Sequence, residues 1–493
     1  MHNSKELDVK VKFGLKSFIA VVAILLSVLI VVGVLTFAIP AGRYTIYTTD
    51  ETKIGQPFYE YTTDESLDKQ IVIDSYRELS KDENSSRLPI IRWFTAPVEA
   101  LFLGSNSSNM IMIIALLLVL GGTFKVLEES GGLVSLVRVI MVKLHKKRFA
   151  AVWIINAVIM FLSAVFGLQE QLLILYPIFA MLCTAFNWSR FTAIALVLVS
   201  SGVGFTTAIT NPLTIGTASI AAGVSVTDGI WYRCIIFVVM YAVTSAFLTY
   251  LAKNDEKRAT EKFDIEGFTM VSEPEHIEDI RKAKMIVVLF SLALTSVIVA
   301  TAIDALRSLA MVFMAAAFII GTVIIGRLLL GSYKQLGKCF VKGVKDVLPS
   351  IVIIMIAFGI TYIAQQGNIL HTIFQYFYNS VSNISPYVAV IILYVFVLII
   401  EFFIPSASAK AVLIIPMLTL APIEGISKTV IILTYLFADG YTNVLYPTCG
   451  TLLVGLGLAN VSFAEWFKKT IVFQLLLFAL SLGFLMLAVF IGL

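Results

Sequence analysis

The chain reads as an all-α polytopic membrane protein, with about nine transmembrane helices and two re-entrant helical hairpins laid out as an inverted repeat. Three observations predict this. Of its 493 residues, 59% are hydrophobic and only 14% charged, with a mean hydropathy of +0.93. A soluble chain carries about 25% charged residues. Nine stretches meet or approach the roughly 20 apolar residues that a helix needs to cross a bilayer. Finally, four long apolar stretches are interrupted by short polar clusters, in matching positions of the two halves.

The nine stretches are Lys16–Pro40, Ser108–Glu128, Arg190–Gly223, Gly229–Ala252, Lys284–Ile303, Ser308–Leu330, Val347–Gln365, Ser427–Leu458 and Thr470–Leu493. Arg190–Gly223 and Ser427–Leu458 are overlong and broken, the first by TTAITNPLT (206–214), the second by DGYTNVLYPT (439–448). Val152–Phe186 is split by GLQEQ (167–171) and Val388–Leu420 by PSASAK (405–410). Their halves, of about 15 to 18 residues, are short for a crossing, which predicts hairpins that dip to midmembrane and return. The first run is too long for a signal-peptide core and lacks a good cleavage site, so it is expected to be retained.

Lys and Arg near segment ends set the orientation. Lys143, Lys146, Lys147 and Arg148, the seven basic residues of 253–284 and the five of 327–345 belong on the cytoplasmic side. Lys5, Lys10, Lys12 and Lys16 place the amino terminus there too, and nine crossings leave the carboxyl terminus outside a cytoplasmic-type inner membrane. The first hairpin then enters from the cytoplasm and the second from outside. The expected organisation is a first span (1–40), an extracytoplasmic polar segment (41–92) and a first repeat (93–252, hairpin 149–187, broken helix 190–223). A cytoplasmic linker (253–283), two scaffold spans (284–346) and a second repeat (347–493, hairpin 386–422, broken helix 427–458) follow. The polar segment, with ten acidic and seven basic residues, reads as a solvated cap.

GLQEQLLILYP (167–177) and SASAKAVLIIP (406–416) each run eleven residues from polar tip to proline, and Pro212 and Pro447 align the two helix breaks. The offsets, 239 from Gly167 to Ser406 and 235 from Pro212 to Pro447, nearly agree. Interrupted segments in corresponding positions of two halves point to a midmembrane substrate site. Ionisable groups at that depth cost about 2.5 to 3.5 kcal/mol each and face a cavity or a partner. Glu170, Lys410 and Asp439 stand out, with Glu401 nearer the outer face. The expected cavity residues are Gly167, Gln169, Glu170, Gln171, Thr207, Asn211 and Thr214 from the first half. The second half contributes Ser406, Ser408, Lys410, Asp439, Thr442, Asn443 and Thr448. Gly167 and Gly440 permit close backbone approach.

Plainer roles stand beside these. Ser, Thr and Asn satisfy backbone groups freed by proline, Glu170 and Lys410 would form an ion pair stapling the tips, and Asp439 would cap a helix. Trp93, Trp188, Trp231 and Trp466 read as interfacial anchors. Net charge is +4 without a basic run suited to nucleic acid. The four cysteines and four histidines show no metal-ligand spacing, so neither metal nor cofactor is expected.

GLQEQ with its following proline, the Asn-Pro-Leu-Thr break, SASAK and the Asp-Gly-Tyr-Thr-Asn break with its Tyr-Pro-Thr resemble the YfcC-type carriers. These are grouped with anaerobic C4-dicarboxylate carriers and arginine/ornithine antiporters in the ion transporter superfamily. The resemblance covers almost the whole chain. It implies a homodimer in which a transport domain of hairpins and broken helices moves against a scaffold. Related dicarboxylate carriers bind sodium and substrate carboxylates at Ser-Asn-Thr tips. Here GLQEQ replaces the first tip and SASAK sets a lysine in the second, so sodium is not expected to be obligatory.

The expected function is a carrier of amino acids, basic ones by exchange, with a small-molecule substrate, membrane lipid and a second copy as partners. Glu170 and Asp439 would face the substrate's cationic groups, while helix termini with Ser406, Ser408 or Thr448 meet its α-carboxylate. The alternative is a C4-dicarboxylate carrier in which Lys410 binds carboxylates and Glu170 carries a coupling proton. No nucleophile, base and orienter set supports an enzyme, and paired hairpins suit alternating access better than a channel.

Overall fold

Long apolar runs become helices in a bilayer because each backbone N–H and C=O must be satisfied within the segment. The computed structural model follows that rule. It describes residues 15–51, 58–63, 72, 75–80, 83–84, 87–104, 107–144, 147–258, 273–303, 306, 309–380, 384–404, 407–420 and 425–493. The helices α1 (Leu15–Ala38), α2 (Ile90–Trp93), α3 (Ala96–Leu103), α4 (Ser107–Glu129) and α5 (Gly132–Leu144) open the chain. Then come α6 (Arg148–Phe166), a 3-10 turn (Glu170–Leu175), α7 (Tyr176–Ala185), α8 (Arg190–Thr207), a π turn (Pro212–Gly216), α9 (Thr217–Ala222) and α10 (Ile230–Arg258). Next are α11 (Glu273–Ala302), α12 (Ala310–Leu330), α13 (Tyr333–Gln366), α14 (Leu370–Ser380) and α15 (Pro386–Phe403). The chain closes with α16 (Ala407–Leu420), α17 (Lys428–Thr442), α18 (Gly450–Ala459) and α19 (Phe463–Phe490).

Among the described residues, eight helices are long and apolar enough to cross a membrane, counting Arg190–Ala222 as one despite its break. They include α6, which begins at Arg148 and so reaches 19 residues, longer than the half-segment read from sequence. Helices α11 and α13 also start early, at Glu273 and Tyr333, because charged amino-terminal turns, mainly acidic in α11 and basic in α13, continue the helix beyond the apolar run. Residues 259–272, in the stretch read as a linker, lie outside the described residues.

A helix that is apolar all round is buried, and α8 and α17 are: nearly every side chain of each is buried. They pack on each other, with α6, α7 and α10 around α8, and α15, α16 and α19 around α17. Ser189 and Ser427 cap their starts by accepting from the Thr192 and Val430 amides. A second group joins α13 to α1, α3 and α4, and α11 to α5 and α12. Helices α4 and α13 approach so closely at Gly121 that a Cβ there would stand 2.7 Å from the Gly343 carbonyl oxygen. Outward faces carry bare apolar side chains such as Val238, Leu292, Ile320 and Val472, as lipid contact requires.

Three of the four tryptophans read as interfacial anchors are buried instead. Trp93, Trp188 and Trp466 are 4%, 4% and 1% exposed, and only Trp231, at 56%, is open. Indole N–H groups need acceptors when buried, and Trp93 donates to Leu88 O at 3.2 Å while Trp466 donates to Val444 O at 2.9 Å.

In the polar segment, β1 (Gly42–Arg43) pairs antiparallel with β4 (Arg77–Glu78), and β2 (Ile46–Thr48) pairs parallel with β3 (Tyr59–Tyr61). Rather than floating in solvent, it docks on the amphipathic helix α14. The Tyr44 amide donates to His371 Nδ1 at 3.0 Å, Tyr44 Oη to Gln375, and Tyr76 Oη to Thr372 at 3.0 Å. Burial, with Arg43 nearby, pushes the His371 imidazole down to about 4. The docked state therefore holds neutral His371, whereas a released chain takes a proton below about 6.5. The docking contribution is whole above that pH and is lost as pH falls through about 4, a loss of roughly 1–3 kcal/mol for this partly exposed ring. Thermal unfolding followed against pH should show this slope, and His371→Gln should flatten it.

Candidate functional site

Proline dictates where the site forms. It has no N–H to donate and pushes the preceding residue out of the helical region, and Asn211, before Pro212, sits at φ −45°, ψ 114°. Helix α8 accordingly ends at Thr207, and the chain resumes as the π turn and α9. In the second half α17 ends at Thr442, Pro447 lies in the gap, and α18 begins at Gly450. Each gap is pinned at its carbonyls. Arg233, buried on α10, donates to Ile209 O at 3.3 Å, to Asp228 O at 2.8 Å and to Val226 O. Trp466 and Gln474 of α19 both donate to Val444 O, at 2.9 and 3.2 Å.

The first polar tip folds onto the first gap. Gly167 closes α6 in the left-handed region at φ 71°, and a Cβ there would collide with the Asn211 side chain. Only glycine meets both demands. The amides of Thr210 and Asn211 both donate to Ala164 O at 3.1 Å. Asn211 Oδ1 accepts from the Leu213 amide at 2.9 Å, whereas its Nδ2, like Thr214 Oγ1, is buried without a partner among the described residues. Thr207 Oγ1 returns to Gly204 O at 3.0 Å and serves its own helix. Gln169 is buried, and Glu170, half-buried, opens the 3-10 turn, which touches α8 and α18. That turn has no side-chain cap, and neither does α18 behind Cys449.

In the second half, Lys410 on α16 lies between two carboxylates. Its Nζ pairs with Glu401 Oε2 of α15 and with Asp439 Oδ1 of α17 at 2.7 Å, and reaches Ile404 O at 3.5 Å. Lys410 and Asp439 are fully buried and Glu401 is 2% exposed. Thr442 Oγ1 stands 3.1 Å from Asp439 O and 3.3 Å from Glu401 Oε2, and the Tyr435 ring lies 5.6 Å from the ammonium. Among the described residues, Glu401 Oε1, Asp439 Oδ2 and Thr448 Oγ1 have no partner. Asn443 Oδ1 accepts from Cys449 Sγ at 3.6 Å. The two halves meet where Gly440 of α17 lies against Thr206 of α8 so closely that a Cβ would strike the Thr206 backbone amide.

Several sequence expectations are corrected by this arrangement. Lys410 does not staple the tips through Glu170, because its three donors are already spent on Glu401, Asp439 and Ile404. Asp439 does not cap its helix, since its side chain is drawn to the ammonium. Glu401, read as nearer the outer face, is a full member of the buried cluster. Arg233 escaped notice altogether, although an arginine inside the apolar run Gly229–Ala252 was a visible signal. Ser406 and the side chains of Gln171 and Ser408 lie outside the described residues. Among the described residues, no basic side chain pairs with Glu170.

Over residues 18–490 the chain matches the family model described as the C4-dicarboxylate anaerobic carrier, DcuC. It is 23% identical over 489 residues to YfcC of Escherichia coli K12, whose name proposes a basic amino acid antiporter, covering 93% of this chain and 94% of that protein. An uncharacterized protein of Haemophilus influenzae is 24% identical over 488 residues, covering 92% and 93%. Among solved structures, the YdaH transporter of Alcanivorax borkumensis aligns over 97% of this chain and 98% of its own, at 17% identity and a TM-score of 0.42. MtrF of Neisseria gonorrhoeae aligns over 95% of each chain at 15% identity and a TM-score of 0.44. With the family model matched along nearly its whole length, this multi-pass membrane transporter belongs to the C4-dicarboxylate anaerobic carrier family.

Proposed function

We propose that this carrier exchanges basic amino acids, of the arginine and ornithine type, by alternating access. One observation carries the reading: Lys410 is already neutralised by two carboxylates, which leaves Glu170 as a carboxylate without a counter-ion among the described residues, beside the helix breaks. A site with surplus negative charge favours a substrate that brings a cation. Asn211 Nδ2, Thr214 Oγ1 and Thr448 Oγ1, without a partner among the described residues, supply polar atoms, and the start of α18, which no side chain caps, supplies amide donors for an α-carboxylate. The name of the Escherichia coli relative agrees in substrate class.

In this reading the polar tips belong to re-entrant hairpins that carry the substrate as part of a moving transport domain. The carrier works as a homodimer in the inner membrane with its amino terminus in the cytoplasm. Gly167, Gln169, Glu170, Asn211, Thr214, Asn443 and Thr448 line the substrate side, while Lys410, Asp439 and Thr442 hold its charge balance. Exchange of a C4-dicarboxylate, which the family description names, is the second reading. The same start of α18 favours it, and the spent ammonium of Lys410 with the negative charge of Glu170 speaks against it.

The test is counterflow into proteoliposomes loaded with ornithine or with succinate. Labelled arginine should enter ornithine-loaded vesicles well above empty-liposome controls, and continue when choline replaces sodium at constant pH and potential. Succinate exchange without arginine exchange would establish the second reading instead, and loss of all flux in choline would make sodium obligatory.

A further inference from the structure

The Glu401–Lys410–Asp439 cluster is built from three separate helices and sealed from solvent, with exposures of 2%, 0% and 0%. All three ammonium donors are engaged, so the cluster offers no donor to a substrate carboxylate. Each carboxylate gives one oxygen to the ammonium and keeps another, Glu401 Oε1 and Asp439 Oδ2, buried without a partner among the described residues. Buried carboxylate oxygens are ordinarily satisfied, and fully ionised the cluster holds one uncompensated negative charge. The groups facing it do not supply the balance. Thr442 and Tyr435 of α17, Tyr394 of α15, and Tyr446 and Cys449 of the second gap are neutral, and Glu170 on the Asp439 side adds a like charge.

One bound proton brings the cluster to zero. A metal cation would have to enter the place the ammonium holds, against its charge, whereas a proton needs no room. Among the described residues, no group of three His, Cys, Asp or Glu side chains is disposed to hold a metal ion.

We infer that Glu401 and Asp439, with Lys410 between them, bind one exchangeable proton and that the proton is the coupling ion of this carrier. The proton arrives from water, forms an O–H bond at one carboxylate oxygen and leaves as the bond breaks on the other side, with no change in oxidation state. Asp439 also lies within electrostatic reach of Glu170, so proton and cationic substrate oppose each other's binding. Beside exchange of one basic amino acid for another, net movement of a basic amino acid is therefore balanced by a proton moving the other way. The direction of coupling rests on the function proposed above, while the proton site itself does not.

The experiment therefore reads two signals from the purified full chain. Infrared titration follows the C=O stretch of a protonated carboxyl, which wild type should show at low pH and lose as pH rises. Glu401→Gln, which mimics the protonated acid and should assemble normally, is expected to lose that band. In vesicles carrying a trapped pH dye, an arginine gradient should move protons in wild type, and Glu401→Gln should cut that movement by at least about tenfold, equivalent to one pK unit of lost proton affinity. A band unchanged in both Glu401→Gln and Asp439→Asn would overturn the site. Should neither variant assemble, Thr442→Val keeps all three charges and must shift the band's midpoint; an unshifted midpoint overturns the site equally. A band lost on mutation without any arginine flux would leave the proton site standing and the substrate assignment refuted. Arginine exchange without the band would do the reverse.

Discussion

Lys410→Met should leave little folded carrier. The substitution keeps the length of the side chain and strips the ammonium from a buried pocket where Glu401 and Asp439 both pair with it. Removing one member of a buried ion pair costs about 3–5 kcal/mol, because the remaining charge is stranded rather than resolvated. Monodisperse yield and thermal stability in detergent should both fall. The triple change Lys410→Met, Glu401→Gln and Asp439→Asn removes every charge at once and should recover most of that stability. If Lys410→Met proves as stable as wild type, the ammonium is not paired as described.

The membrane character was legible from composition alone, because a chain with so few charges has no other solvent. The ends of α6, α8 and α17 at Gly167, Thr207 and Thr442 lie within or beside the polar clusters that mark the sequence. The local physics is short-ranged there: a left-handed glycine and a proline act on their own neighbours. Pairing across helices was not legible. Nothing in the run preceding Pro405 tells whether Glu401 points to lipid, to water or to a lysine nine residues on. That depends on how α15 and α16 turn relative to α17. Trp466 illustrates the same limit, since an aromatic at a segment end anchors in most membrane proteins, yet here the gap at Val444 offers a free carbonyl and the indole takes it. The docking of the cap on α14 likewise joins Tyr44 to residues more than three hundred positions away.

Holding two helix gaps open requires satisfying the carbonyls they release, and the molecule solves this differently in each half. Arg233 brings a cation to the first gap, whereas neutral Trp466 and Gln474 serve the second. The first gap thus has a positive charge behind it and Glu170 in front, while the second has its charges gathered into the Lys410 cluster. This asymmetry places at the first tip the carboxylate that pairs with no cation among the described residues, Glu170.

Glu170→Gln is the substitution that addresses that tip directly. The change nearly preserves shape and removes only the charge. Since Lys410 is bound to Glu401 and Asp439, Glu170 holds no other element in place among the described residues, and the mutant should assemble with wild-type yield. If the substrate's guanidinium or ammonium meets Glu170, the lost charge-assisted bond is worth roughly 1.5–3 kcal/mol, so affinity should drop by about tenfold or more. Binding of arginine, ornithine and succinate measured side by side on the same purified protein separates the readings. Weaker arginine and ornithine binding with intact assembly places Glu170 against the substrate cation. Unchanged affinity removes it from recognition, and a gain in succinate binding would turn the site toward dicarboxylates, because Glu170 would then have been acting as the group that keeps a dianion out.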